Sequence, residues 1–196
     1  MLEAMEERQV TLEGETLHLP QPFVVLAAQN PIEYEGTFPL PEAELDRFMM
    51  RLSVGYPTAD EELEVLKRRW ERHEDPIRLE RITDIDELNA MRQTVESIYI
   101  DPDVARYIVA LAQATRTDLH VSVGASPRAS LALLKLSRAR AAIEGRDFVI
   151  PDDVKFIVRE VFIHRLLLKP DMWARGTAVK EVVEAIVRGV PVPKVE

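Results

Sequence analysis

The chain has 196 residues, of which 46% are hydrophobic, and a formal net charge of −9 at pH 7. This length and composition allow one or two compact domains and exclude a largely disordered chain. The acidic balance disfavours binding to nucleic-acid phosphates or anionic lipid. Since the sequence has no long apolar run, no basic leader and no cysteine, we expect no membrane insertion, no disulfides and a cytoplasmic location.

The first predicted elements are the end of a helix and a β-hairpin. Residues 2–8 have the pattern of an amphipathic helix end. Residues 10–19 alternate apolar and polar side chains on each side of Gly14. That alternation around a glycine predicts a hairpin with a glycine-containing loop.

A run of six apolar residues, Phe23–Ala28, predicts a short strand buried on both faces, which needs neighbouring strands. At its carboxyl end the chain turns polar at Gln29 and Asn30, the place where open α/β sheets put ligand-contacting groups. Asn30 is therefore a candidate site residue. An asparagine that only starts a turn before Pro31 is the simpler interpretation of the residues alone.

The next segment predicts a short helix beginning at Pro41, with Glu42 and Glu44 in its first turn. Arg47 falls near the end of this helix, where a cation offsets the helix dipole by about 0.3–1 kcal/mol. Taken alone, that structural role is the simpler one for Arg47. Residues 51–56 predict a second strand.

Beyond residue 57 the sequence predicts only helices. Thr58 and Glu61 form a capping box, and Val104, Ile108 and Leu111 lie on one apolar stripe. The predicted helices cover residues 58–72, 84–97, 102–115, 127–144, 151–168 and 178–188.

Arg128 is at the second position of one of these helices, beside the positive end of its dipole. A cation is unfavourable there unless an anion is shared. The cost is only about 0.3–1 kcal/mol, so a solvent-directed arginine is an equal alternative.

Several stretches of the sequence resemble the MoxR branch of the AAA+ ATPases. Residues 26–31 and 35–48 are similar to the segment that runs from sensor 1 to the arginine finger, and residues 124–129 are similar to the sensor 2 helix. The resemblance covers essentially the whole chain. It implies an α/β fragment of a P-loop AAA+ core over residues 1–57, an all-α lid domain over residues 58–196, and a predominantly helical chain.

The resemblance also implies roles for the candidate residues. Asn30 would position the attacking water, and Arg47 would act as the arginine finger on a nucleotide bound by a neighbouring subunit. Arg51 would support that role or fill it instead. Arg128 would be the sensor 2 arginine and would read the nucleotide of its own subunit.

As a member of this family, the intact protein would use ATP and Mg²⁺ and would form a ring, expected to be hexameric. It would couple ATP hydrolysis to the remodelling or maturation of a client complex, together with a protein that carries a von Willebrand factor A domain.

The family's phosphate-binding loop and acidic metal-binding strand have no counterpart in this sequence. None of the seven glycines begins a G-x-x-x-x-G-K-[ST] motif, and the four histidines show no metal-binding spacing. We therefore expect a C-terminal portion of such an ATPase, with negligible hydrolysis and no tight binding of ATP or Mg²⁺ by itself.

Two alternatives remain open from the sequence. In the first alternative, the chain is a standalone noncatalytic module that docks on a full-length ATPase through a free strand edge and its arginine finger. In the second alternative, the chain belongs to a nucleic-acid-dependent AAA+ motor, which the acidic charge disfavours.

Overall fold

The computed structural model describes residues 2–29, 40–73 and 79–194. These ranges are mainly helical, and their sheets are small. No helix within them has both the length and the apolar character needed to cross a membrane. The elements in chain order are α1 (Leu2–Glu6), β1 (Gln9–Leu12), β2 (Glu15–His18), α2 (Glu42–Leu45), α3 (Ala59–Arg72), α4 (Ile85–Ser97), α5 (Pro102–Thr117), β3 (Val121–Val123), α6 (Pro127–Ile143), α7 (Pro151–Phe162), β4 (Leu167–Leu168), α8 (Pro170–Ala174) and α9 (Val179–Gly189).

The predicted hairpin is confirmed. Strands β1 and β2 pair antiparallel, with Gln9 opposite His18 and Leu12 opposite Glu15. Between them Glu13 and Gly14 both have positive φ, 52° and 89°. Two such residues are what a two-residue turn of type I′ requires, because its twist matches that of the strands.

The two other predicted strands were wrong. Neither Phe23–Ala28 nor Arg51–Tyr56 pairs with a strand anywhere in the described ranges. Val24, Leu26 and Val54, which would be buried in a covered sheet, are 71%, 92% and 98% exposed. The reason is physical, because an apolar run becomes a strand only where a neighbour takes up its backbone hydrogen bonds. No described segment does so here.

The hydrophobic core lies among α5, α6, α7 and α9. The predicted stripe of α5 is confirmed, since Val104, Ile108 and Leu111 are all buried. Leu133 of α6 and Phe162 of α7 pack in the same cluster. Full burial of side chains of this size stabilises the fold by about 1.5–3 kcal/mol each.

Local signals place most helix ends correctly. The capping box of Thr58 and Glu61 starts α3, and Gly145, with φ of +71°, follows the end of α6. Helix α7 is six residues shorter than predicted, because the chain beyond it turns and Leu167–Leu168 pairs antiparallel with β3. A short run of leucines suits a helix or a strand, so here the tertiary partner decides.

The ends of α6 and α7 are joined by Asp153, which is 1% exposed. Its two oxygens accept hydrogen bonds from Arg146 Nη2 at 2.6 Å and Nη1 at 2.8 Å, and one of them accepts from the Ile150 N–H at 2.9 Å. Arg140 Nε lies 3.3 Å away. Burial alone would raise the pKa of Asp153, but these donors outweigh it and hold the pKa below its usual range.

Replacing Asp153 with asparagine should destabilise the chain by about 2 kcal/mol at pH 7, because the charge facing Arg146 is lost. Because the folded-state pKa of Asp153 lies below its unfolded value, the ionised carboxylate stabilises the fold above about pH 4. This contribution is lost as the pH falls through the folded-state pKa. Urea unfolding of both proteins at several pH values measures the difference. A gap between them that does not shrink in acid would contradict this assignment.

Candidate functional site

Residues 40–51, here called the Arg47 segment, contain the short helix α2. Pro41 is its N-cap and Leu45 its last residue, so the helix is shorter than predicted and Arg47 follows its end. Arg47 Nη1 donates to the Ala43 carbonyl oxygen at 2.6 Å. Arg47 therefore serves the end of this helix, which is the role that the residues alone predict.

The rest of the Arg47 guanidinium faces Glu6 of α1. Arg47 Nε lies 2.9 Å from Glu6 Oε1, and Arg47 Nη2 donates to Glu6 Oε2 at 3.2 Å. Arg128 Nη2 donates to the same Oε1 at 2.5 Å. Hydrogen bonds from Arg47 and then Arg128 lower the pKa of Glu6. One carboxylate oxygen thus joins two arginines that are 81 positions apart in the sequence.

The start of α6, which carries Arg128, is held by the end of α5. A side chain on Gly124 would meet the Arg116 Cα at 2.8 Å, so only glycine allows this approach. Arg116 Nε donates to the Ala125 carbonyl at 2.8 Å, and the Ala125 N–H donates to Thr115 Oγ1 at 2.9 Å. These contacts fix the direction in which α6 begins. Arg128 therefore lies in the first turn of a helix whose start is fixed by packing against α5.

The Arg47 segment is tied to α6 and α7 through Asp46. Ser126, the N-cap of α6, donates to both carboxylate oxygens of Asp46 at 3.0 and 3.1 Å. Arg165, just beyond α7, donates from Nε to Asp46 Oδ1 at 2.9 Å. Farther along the segment, the Arg51 N–H donates to the Glu160 carbonyl at 2.9 Å. The Arg47 segment is thereby anchored at Asp46, just before Arg47, and at Arg51, four residues after it.

His164 adds a titratable group to this contact. Its Nε2 lies 3.1 Å from the Phe48 carbonyl oxygen, which can only accept, so Nε2 carries the proton. Burial, and then the charges of Arg165 and Arg51, lower the pKa of His164. Nδ1 has no hydrogen-bond partner among the described residues. This pattern fits a neutral imidazole.

Models of known protein families match both of the regions that form this site, the N-terminal region and the helical region. Residues 1–50 match the ATPase family associated with various cellular activities (AAA), and residues 113–186 match the AAA lid domain. The chain is 42% identical over 194 residues to the uncharacterized protein YeaC of Bacillus subtilis. It is 37% identical over 204 residues to the chaperone MoxR1 of Mycobacterium tuberculosis. The chain is an AAA+ protein that is similar, over nearly its whole length, to MoxR-type proteins.

A solved structure supports the same fold. A candidate ATPase from Cytophaga hutchinsonii superposes with a TM-score of 0.90 at 35% identity, over 98% of this chain and 61% of that one. The match to YeaC extends over 98% of this chain but over only 60% of YeaC. The match to MoxR1 extends over 53% of MoxR1. It therefore spans between half and two thirds of these MoxR-type relatives.

Two of the residues that the sequence predicts as site residues, Arg47 and Arg128, are brought together at Glu6. Arg51 joins the site through its backbone, and Asn30 lies outside the described residues. Sequence reasoning missed Glu6 and Arg165. The unfavourable place of Arg128 signalled that an anion was needed, but a chain with 34 acidic residues does not reveal which one supplies it.

Acid should weaken the packing around His164. Because its pKa is lowered by folding, its stabilising contribution is complete above the unfolded value of about 6.5 and is lost as the pH falls toward the folded-state value. From about pH 7.5 to about pH 5.5 the wild-type chain should lose more stability than His164→Gln, with a slope of at most about 1.4 kcal/mol per pH unit.

Urea unfolding across this pH range provides the measurement. His18→Gln, at an exposed position of β2, is the matched control and should keep the wild-type pH dependence. Parallel curves for the wild type and His164→Gln would remove His164 from the explanation.

Proposed function

We propose that this chain supplies the phosphate-reading arginines and the lid of a MoxR-type ATPase. The observation that carries the proposal is the contact of Arg47 and Arg128 with one oxygen of Glu6. A carboxylate that joins two guanidinium groups occupies the kind of position that a phosphate oxygen takes. Phosphate offers more acceptor oxygens and more charge, so it is the better ligand for such a pair.

The shared contact also bears on how the two arginines divide the work. The family resemblance assigns Arg47 to the nucleotide of a neighbouring subunit and Arg128 to that of its own subunit. Since both arginines reach one carboxylate oxygen, we propose instead that they read the same polyphosphate, across the same interface. Arg51 supports Arg47 in this proposal, and Asn30 positions the attacking water.

AAA+ ATPases use ATP and Mg²⁺. The two arginines fit the phosphates of ATP, and what they add is charge and hydrogen bonds for the transferred phosphoryl group. No group of three potential metal ligands lies together in the described parts of the chain. In the proposal, Mg²⁺ is held by the acidic metal-binding strand of the family, which has no counterpart in this sequence.

At the level of the whole assembly, we propose a cytoplasmic ring, hexameric in its simplest form, that remodels a client protein complex. Residues 1–57 contribute to its core and residues 58–196 form its lid domain. A protein with a von Willebrand factor A domain would present the client. The similarity to the chaperone MoxR1 supports the chaperone-like part of this proposal.

The arginine pair is tested first by a gain of binding. Glu6→Gln removes the competing charge and keeps an acceptor for both arginines. It should bind inorganic tripolyphosphate about fivefold more tightly than the wild type, because the carboxylate charge no longer repels the anion at a distance of about 4 Å. Isothermal titration calorimetry at constant ionic strength measures the affinities.

Glu96→Gln is the matched control, because it makes the same change in net charge and removes the partner of Arg138. It should bind like the wild type. An equal gain in both variants would reduce the effect to net charge, and no gain in Glu6→Gln would argue against a phosphate site at this pair.

The role of Arg47 is tested in a full-length MoxR-type ATPase that carries this sequence. Arg47→Ala should lower turnover by about 10³–10⁵, the range seen for arginine fingers, and should lower nucleotide affinity far less than that. Arg51→Ala distinguishes the two candidates for this role, since a supporting residue should cost far less. Arg106→Ala, on the exposed face of α5, is the control. Normal turnover in Arg47→Ala would exclude it as the finger.

A further inference from the structure

Arg165 is an arginine with a side-chain exposure of only 2%. It donates to the Asp46 carboxylate at 2.9 Å and to the backbone carbonyl oxygens of Asp46 and Met49 at 3.1 and 3.2 Å. Further bonds reach the carbonyls of Phe48 and Val161, both at 2.5 Å. Four of these five acceptors lie in the Arg47 segment. Arg165 thus takes up backbone carbonyl groups of three residues that follow the short helix α2.

Asp46, the charged partner of Arg165, is placed between the two proposed phosphate-reading residues. It directly precedes Arg47 in the chain. Its carboxylate also accepts from Ser126, two residues before Arg128. The same carboxylate therefore sets the backbone of Arg47 against the start of α6, while Glu6 joins the two guanidinium groups at their outer ends.

The carboxylates of Glu6 and Asp46 differ in exposure, and therefore in how easily their ion pairs exchange partners. Glu6 is more than a third exposed, and an ion pair in that environment is weak and readily exchanged. Arg165 is buried, and loss of one partner from a buried, hydrogen-bonded pair is strongly destabilising. Anions can therefore exchange at the outer contact while the inner contact stays fixed.

We propose that Arg165, acting through Asp46, is the positioning residue that holds Arg47 and Arg128 side by side as one anion site. The inference rests on the proposed function of these two arginines. Arg165 itself is not part of the proposed phosphate site, because all its described hydrogen bonds are to oxygens of the protein. A lysine keeps its charge but lacks the planar fork that reaches several oxygens at once.

The first test is the affinity of the 196-residue chain for inorganic tripolyphosphate, measured by calorimetry. Arg165→Lys should bind about tenfold more weakly, the result expected if the competent arrangement falls to about a tenth of the population. Arg146→Lys is the matched control, because it takes a similar fork away from Asp153. It should lower the melting temperature but leave the affinity within about twofold, as expected for a distant site.

The second test does not depend on any anion. The Arg51 N–H donates to Glu160, and the Tyr99 N–H donates to Asp147 on a different part of the helical region. In Arg165→Lys, hydrogen exchange at Arg51 should accelerate about tenfold while exchange at Tyr99 keeps its wild-type rate. Equal acceleration at both amides, or at neither, would overturn the positioning role.

Ser126→Ala covers the possibility that Arg165→Lys fails to fold. It removes only the hydroxyl that links α6 to Asp46, and it should weaken tripolyphosphate binding in the same direction by a smaller factor. Unchanged binding in this variant would count against the inference.

The two proposals fail in different ways. If the wild-type chain does not bind tripolyphosphate, or if Arg47→Ala binds it as well as the wild type does, the phosphate site is excluded. If tripolyphosphate binds but Arg165→Lys matches the wild type in affinity and in Arg51 exchange, only the positioning role of Arg165 is excluded.

Discussion

The bond between the Asp46 carboxylate and Arg165 is the contact on which the geometry of the site depends. The Arg47 segment has only four residues of regular helix, too few to hold a conformation without outside partners. Asp46, Phe48 and Met49 all direct oxygens to the one guanidinium of Arg165. The side chain that follows Asp46 is therefore fixed in direction by a residue 119 positions later in the chain.

Asp153, Asp46 and Glu6 each contact a pair of partners, and their different burial gives each contact a different consequence. Asp153 is almost fully buried between Arg140 and Arg146 and joins two helices of one packed unit. Asp46 is partly buried and joins that unit to the Arg47 segment. Glu6 is the most exposed and joins α1 to both. Since screening grows with exposure, the contacts become easier to exchange in this order, and the most exchangeable one lies at the proposed phosphate site.

Local rules predicted most of the helices, because caps such as Thr58 and stops such as Gly145 act within a few residues. The strand at Phe23–Ala28 was wrong because strand formation depends on a distant neighbour, which a local pattern only requires and does not supply. The site divides in the same way. Arg128 was singled out because its helix position alone is unfavourable for a cation. Arg165 was missed because nothing near it in the sequence shows that it would be buried against Asp46.

The position of Glu6 connects the proposed phosphate site to the hairpin. Glu6 is the last residue of α1, and Glu3 in the same helix accepts bonds from the Thr11 hydroxyl and N–H of β1, at 2.6 and 3.1 Å. Two guanidinium groups this close repel each other unless an anion lies between them. If a polyphosphate takes over that place, as the proposed function requires, the Glu6 carboxylate loses both partners. The arginine contacts that hold α1 to this site among the described residues are then gone, and the helix that anchors the hairpin is the element whose environment changes first.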